Sequence, residues 1–204
     1  MTEKYQDLMT FAGMSRVHPD FWMSKPELRQ WLKYAKLYDS WNKRATERIM
    51  IPKIIHQIWI GSQMPEELCE LSKSWKRKMP EYEHWIWTEK EIELLEFKGK
   101  HVYEMAKNPG LKSDVARYAI LEEFGGLYAD TDFECIKSLE SCLSGSKFIA
   151  GHLPAPSSGN VEIANGLIAC TKDNVIMKEI NNEISKIKTI NEDDNIEIMK
   201  ATGP

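Results

Sequence analysis

Two aspartates one residue apart, Asp130 and Asp132, close the run Phe124-Gly125-Gly126-Leu127-Tyr128-Ala129-Asp130-Thr131-Asp132. In an extended chain, residues i and i+2 share a face. The spacing therefore predicts two carboxylates side by side at a strand end. Like charges so close repel unless a cation sits with them, and hard divalent ions prefer oxygen ligands. The pair reads as a metal site, and a metal at a strand end points to phosphate chemistry. One helix upstream, Asp114 and Arg117 are three residues apart and share a helical face. By themselves they make an ordinary surface ion pair. Feeding directly into the aspartate strand, the same face can line the same cleft, where a guanidinium can bind phosphate or sugar hydroxyls bidentately.

The elements that must carry these groups are legible around them. Ile51 to Gly61 (Ile-Pro-Lys-Ile-Ile-His-Gln-Ile-Trp-Ile-Gly) is β-branched, apolar and ends in glycine, which predicts a buried strand. Pro65 followed by two glutamates predicts a helix over 65–79. Tyr82 to Thr88 alternates as a second strand, and 89–107 reads as one or two short helices around Gly99. Ser113 is expected to cap a helix over 113–123 that ends at Gly125. Gly126 allows tight entry into the strand Leu127–Ala129. Further short strands are expected at 147–151 and 166–169, and a helix at 173–190. Alternating strands and helices predict an α/β fold with a mostly parallel central sheet, in which ligands sit beyond the carboxyl ends of the strands.

The chain divides by texture into a helical N-terminal extension, 1–50, and a catalytic domain, 51–204. In the extension, Ser24-Lys25-Pro26-Glu27 starts a helix, with Leu28, Trp31, Leu32, Ala35, Tyr38 and Trp41 on one face. Its simplest role is structural packing. Residues 191–195 read as a solvated acidic turn.

With 204 residues, 42% hydrophobic, 28% charged and a net charge of −4, the composition is that of a globular protein and lacks the basic footprint of a nucleic-acid binder. The four cysteines, Cys69, Cys135, Cys142 and Cys170, form no CxxC pair and are expected as reduced structural thiols. The N-terminus carries charges where a signal peptide would need an apolar core, and no apolar run approaches the ~18 residues of a membrane span. A cytoplasmic location is expected, with peripheral membrane association as a variant. Neither a GxGxxG nor a Walker loop is present, which argues against a Rossmann oxidoreductase and a P-loop kinase.

Three blocks in order carry a family resemblance: residues 51–61, Ser113 to Leu121 (Ser-Asp-Val-Ala-Arg-Tyr-Ala-Ile-Leu), and Gly-Gly-Leu-Tyr-Ala-Asp-Thr-Asp (125–132). Together they resemble the DxD-motif sugar-transferase family, which includes capsular polysaccharide transferases and fungal initiating mannosyltransferases. More distantly they resemble the catalytic domains of clostridial glucosylating toxins. The resemblance implies a GT-A fold and a hexosyltransferase that retains configuration. It implies a UDP- or GDP-sugar donor, Mn2+ or Mg2+, and a glycan, lipid-linked or protein acceptor. It implies that Asp132 ligates the metal directly and that Asp130 is shared between metal and donor. It implies that Asp114 and Arg117 contact the donor sugar, and that Asn165 approaches the donor. It implies that Trp59 lies near the nucleotide base, with His56, Gln57 and Ile58 lining that pocket, and that Asp130, Asp132 and Arg117 form the catalytic set. Ala201 to Pro204 resembles the start of the family's final block, so either a trimmed or a minimal version of the catalytic domain is expected. Two other readings stay open: a non-catalytic nucleotide-sugar or glycan-binding module, and a metal-dependent phosphohydrolase or nucleotidyltransferase.

Overall fold

A computed structural model of the protein describes Arg48, residues 50–155 and 160–192, Ile198 and Thr202. The helix expected within 24–41, most of the acidic turn and most of the 201–204 block lie outside the described residues. A five-stranded sheet runs in the order β2-β1-β3-β5-β4. The strands are β1 (Ile54–Ile58), β2 (Glu83–Trp87), β3 (Gly126–Ala129), β4 (Phe148–Ala155) and β5 (Asn160–Cys170). The first three pair in parallel, as the alternating pattern predicts, and β5 and β4 add an antiparallel edge. These two strands are longer than expected because their Gly and Pro positions suggested shorter runs.

The sheet is covered on both faces. Along β3, Leu127 and Ala129 join one core with Ile55, Trp75, Met79 and Leu143, whereas Tyr128 joins the other with Val115, Ile120, Leu121 and Ile168. The first core lies under α1 (Glu66–Lys78) and α5 (Glu140–Leu143). The second lies under α4 (Pro109–Phe124), with α3 (Lys100–Met105) and α6 (Val175–Ile184) packed beyond it. The short helix α2 (Glu89–Glu93) follows β2 with a capping box at Thr88 and Glu91.

Helix α1 carries Glu66 and Glu67 in its first turn and Lys76, Arg77 and Lys78 in its last, the charge order that complements the helix dipole. Helix α4 begins four residues before the expected Ser113. Asn108 caps it, its side chain accepting from the Gly110 amide, and Pro109 occupies the first turn. Ser113 is therefore interior. The helix ends as expected at Gly125, where φ is +64°. Gly126 follows with φ +102°, and a Cβ there would lie 2.7 Å from the Ile54 carbonyl oxygen and 2.9 Å from His56 Nε2. The glycine pair thus serves the backbone: it lets the chain turn sharply and press β3 against β1.

Candidate donor and metal site

The site is built where α4, the end of β3 and β5 converge. Arg117 is 4% exposed, with its guanidinium 4.6 Å from the Tyr128 ring centroid. Its Nη2 lies 2.8 Å from Asp114 Oδ1 and 3.3 Å from Asp130 Oδ1. Its Nη1 is buried and has no hydrogen-bond partner among the described residues. An Arg donor left unpaired in the interior is costly unless a ligand supplies the acceptor. Tyr128 joins the same group, donating from its hydroxyl to Asp130 Oδ1 at 2.8 Å. Burial raises the Tyr128 phenol well above its ordinary value, so it remains a neutral donor.

Asp114 is held from three sides. Besides Arg117, Asn165 Nδ2 donates to its Oδ1 at 3.1 Å and Thr202 Oγ1 to its Oδ2 at 3.1 Å. Burial raises the Asp114 carboxyl above the usual carboxylate range, with Arg117 pulling the other way. Asn165 reaches this position through an irregularity in β5. Ala150 pairs with Ile168 but Gly151 pairs with Ala164, so residues 165–167 bulge out of the β4–β5 ladder while Leu167 stays paired with Ala129 of β3. Bulges re-aim side chains in this manner. The Gly166 carbonyl accepts from the Asp130 amide at 2.9 Å. A Cβ on Gly166 would sit 2.6 Å from Asp130 Oδ2, so glycine is what lets the bulge approach the carboxylate.

The aspartate pair itself is arranged differently from the expectation of two extended residues. Strand β3 stops at Ala129. Asp130 to Phe133 then form a turn, closed by the Phe133 amide donating to the Asp130 carbonyl at 3.1 Å. Asp130 is anchored inside the cluster, whereas Asp132 is exposed and makes no hydrogen bond or ion pair among the described residues. The hard oxygens needed by a divalent cation are present: the free Asp132 carboxylate and the Asp130 carboxylate, whose Oδ2 faces Gly166 rather than the Arg117 pair. Among the described residues no third His, Cys, Asp or Glu joins them in a cluster able to hold a metal. The pair offers oxygen ligands of the kind a divalent cation takes.

In the first block, His56, Gln57 and Ile58, expected to line a nucleotide pocket, turn their side chains into the protein. Ile58 belongs to the core under α4. His56 is fully buried among Trp85, Trp87 and Phe124. Its Nε2 lies 2.8 Å from the Gly125 carbonyl oxygen, and its Nδ1 accepts from Trp87 Nε1 at 3.1 Å. This pairing makes Nε2 the protonated nitrogen. Burial lowers the imidazole to about 4. Gln57 is also fully buried, and its amide is spent on internal partners, including the Asp130 carbonyl. Only Trp59, just beyond β1, keeps a partly exposed ring, with Nε1 donating to the Ser62 carbonyl at 2.5 Å. Sequence reasoning missed Tyr128 and Thr202 as members of the cluster. Tyr128 stood in the quoted block, but strand alternation alone does not say that its ring lies under Arg117.

Residues 65–149 match the family profile described as "Glycosyltransferase sugar-binding region containing DXD motif". The chain is 29% identical over 145 residues to inositol phosphoceramide mannosyltransferase 1 of Schizosaccharomyces pombe, covering 67% of this chain and 43% of that protein. Among solved structures it resembles the PaToxG glycosyltransferase, with TM-score 0.60 and 22% identity over 87% of this chain and 76% of that one. It also resembles the catalytic domain of alpha-toxin from Clostridium novyi, with TM-score 0.56 and 12% identity over 85% of this chain and 65% of that one. The resemblance read from the three sequence blocks is borne out, and the fold is of the GT-A glycosyltransferase type. The chain spans less than half the length of the curated relatives it matches.

Proposed function

We propose that residues 51–204 form the catalytic domain of a metal-dependent hexosyltransferase that uses a UDP- or GDP-sugar and retains anomeric configuration. The observation that carries this reading is the buried Arg117, paired with Asp114 and Asp130 yet with one guanidinium nitrogen lacking a partner among the described residues, and the exposed carboxylate of Asp132 two residues beyond Asp130. A fork-shaped donor beside a metal-binding carboxylate suits a sugar diphosphate. When bound, a divalent cation offsets the negative charge that grows on the departing diphosphate. The chain's own groups supply position. Asp132 would anchor the cation, and Asp130 would orient it relative to Arg117. Asp114 holds the guanidinium and Asn165 holds Asp114, and both would face the donor sugar, while Trp59 offers a ring for the base. The tight bonding within this cluster supports pre-organisation rather than closure around each new donor.

A phosphohydrolase working with two metals needs more carboxylates than this pair, which disfavours that alternative. A donor-binding module without turnover is the second reading, favoured by the absence of a third protein ligand among the described residues. No described helix is long and apolar enough to cross a membrane. We place the activity in the cytoplasm or at a membrane surface, with a glycan, lipid-linked or protein acceptor.

The test is a thermal-shift screen of nucleotide sugars with and without Mn2+, followed by nucleotide release on the best donor. A bound donor stabilises the fold by mass action. Mn2+-dependent stabilisation by one nucleotide sugar, with release of its nucleoside diphosphate, is the expected result. Stabilisation without release supports the binding module, and no response to any donor overturns the proposal.

A further inference from the structure

The turn that carries Asp132 is held from beneath at three points by side chains of β1 and α1. Gln57 Nε2 donates to the Asp130 carbonyl at 3.2 Å, Trp75 Nε1 donates to the Phe133 carbonyl at 2.9 Å, and Ser74 Oγ accepts from the Cys135 amide at 2.7 Å. Each holding group is itself fixed. The Gln57 side-chain oxygen accepts from Ser72 Oγ at 2.5 Å and from His84 Nε2 at 2.8 Å, so the amide is locked in one orientation. The Ser74 hydroxyl donates to the Leu71 carbonyl. Gln57, Ser74 and Trp75 are all nearly inaccessible to solvent.

This arrangement has a physical purpose. Beyond Ala129 the chain leaves the sheet, and backbone groups that leave a ladder need other partners. Here three buried side chains supply them for the segment from Asp130 to Cys135. None bonds the carboxylate of Asp132, which stays free while its backbone is fixed. Residues that lock the support of a ligand group set its geometry and so its affinity.

We propose that Gln57, Ser74 and Trp75 are positioning residues that hold the 130–135 backbone so that Asp132 meets a divalent cation. The proposal rests on the reading of Asp132 as a metal ligand. Gln57 thus acts on the site through the backbone of Asp130. Trp75 and Ser74, which no motif singled out, act on the far side of the same turn.

Trp75→Phe tests this, since it removes the indole N–H and keeps an aromatic ring in the core. Two measurements are made on the intact chain: Mn2+ binding by titration calorimetry, and native-state hydrogen exchange of the Phe133 and Cys135 amides. Losing one such hydrogen bond should weaken Mn2+ binding and speed exchange of both amides by about five- to tenfold, with α4 amides unchanged. Gln57→Leu should act in the same direction from the other end of the turn. Unchanged exchange at Phe133 and Cys135 overturns the proposal. So does an equal rise in α4, which would mark the bond as merely stabilising the whole fold. If the wild-type chain binds no Mn2+, the metal reading fails, and the exchange data still decide whether the turn is held as described.

Discussion

Arg117 and Tyr128 form a stacked pair whose two polar ends meet on one carboxylate: the guanidinium lies 4.6 Å from the ring centroid, and both residues bond Asp130 Oδ1. The ring shields one face of the guanidinium from water and contributes a cation–π attraction. The phenol and the guanidinium together leave Asp130 little rotational freedom. Whatever binds at Asp130 therefore meets a carboxylate in a set orientation.

Removing the charge at this pair should be costly to the fold as well as to the site. Arg117→Met leaves Asp114 partly buried beside Asp130 without their shared cation, and breaking a buried pair on one side costs about 3–5 kcal/mol. Arg117→Lys keeps a charge but loses the planar fork. Urea denaturation should show a large loss for Met and a smaller one for Lys, with donor-dependent thermal stabilisation abolished in both. A Met variant as stable as wild type would contradict the buried pairing.

Asp132→Asn should do the reverse. The side chain is exposed and makes no hydrogen bond or ion pair among the described residues. The variant should unfold at the wild-type urea midpoint, within about 0.5 kcal/mol, and lose Mn2+-dependent nucleotide release. Turnover like that of the wild type would remove Asp132 from the metal site.

The second glycine of the pair should tolerate no side chain. Gly126→Ala would place a methyl 2.7 Å from the Ile54 carbonyl oxygen at a φ of +102°. Left-handed backbone alone costs an L residue about 1–2 kcal/mol, and the β1–β3 contact must open as well. A loss above about 2 kcal/mol is expected by chemical denaturation. A loss under half of that would mean the two strands can part cheaply.

Stability should depend on pH through His56. Its imidazole titrates near the ordinary value of 6.5 when unfolded and near about 4 when folded. The unfolded chain therefore binds the proton first as pH falls. The stability of the neutral, buried ring is fully present above 6.5 and declines as pH drops towards 4. The total is roughly 3 kcal/mol at about 1.4 kcal/mol for each pH unit. His84, also lowered by burial, adds to the same window. Denaturation midpoints at pH 7.5 and 5 should differ accordingly. A flat profile between these values would place His56 in water.

The primary sequence determined most of the scaffold. β-branched runs, alternation, a proline-started helix and the glycine pair are local signals, and local sterics and capping act within a few residues. For the same reason the order of α4, Gly125-Gly126 and β3 already brought Arg117 near Asp130. What the tertiary structure decided was facing and reach. Strand β1 is buried on both sides, so its sequence holds no polar–apolar contrast to say whether His56 or Gln57 looks towards the site. Packing gave both internal partners: one side chain holds β1 to the Gly125 carbonyl, the other holds the Asp130 turn. Likewise the bulge that delivers Asn165, and the hydrogen bonds from Thr202 and Trp75, join residues far apart in the chain. Such pairings depend on the three-dimensional path of the backbone, which no spacing along the sequence encodes directly.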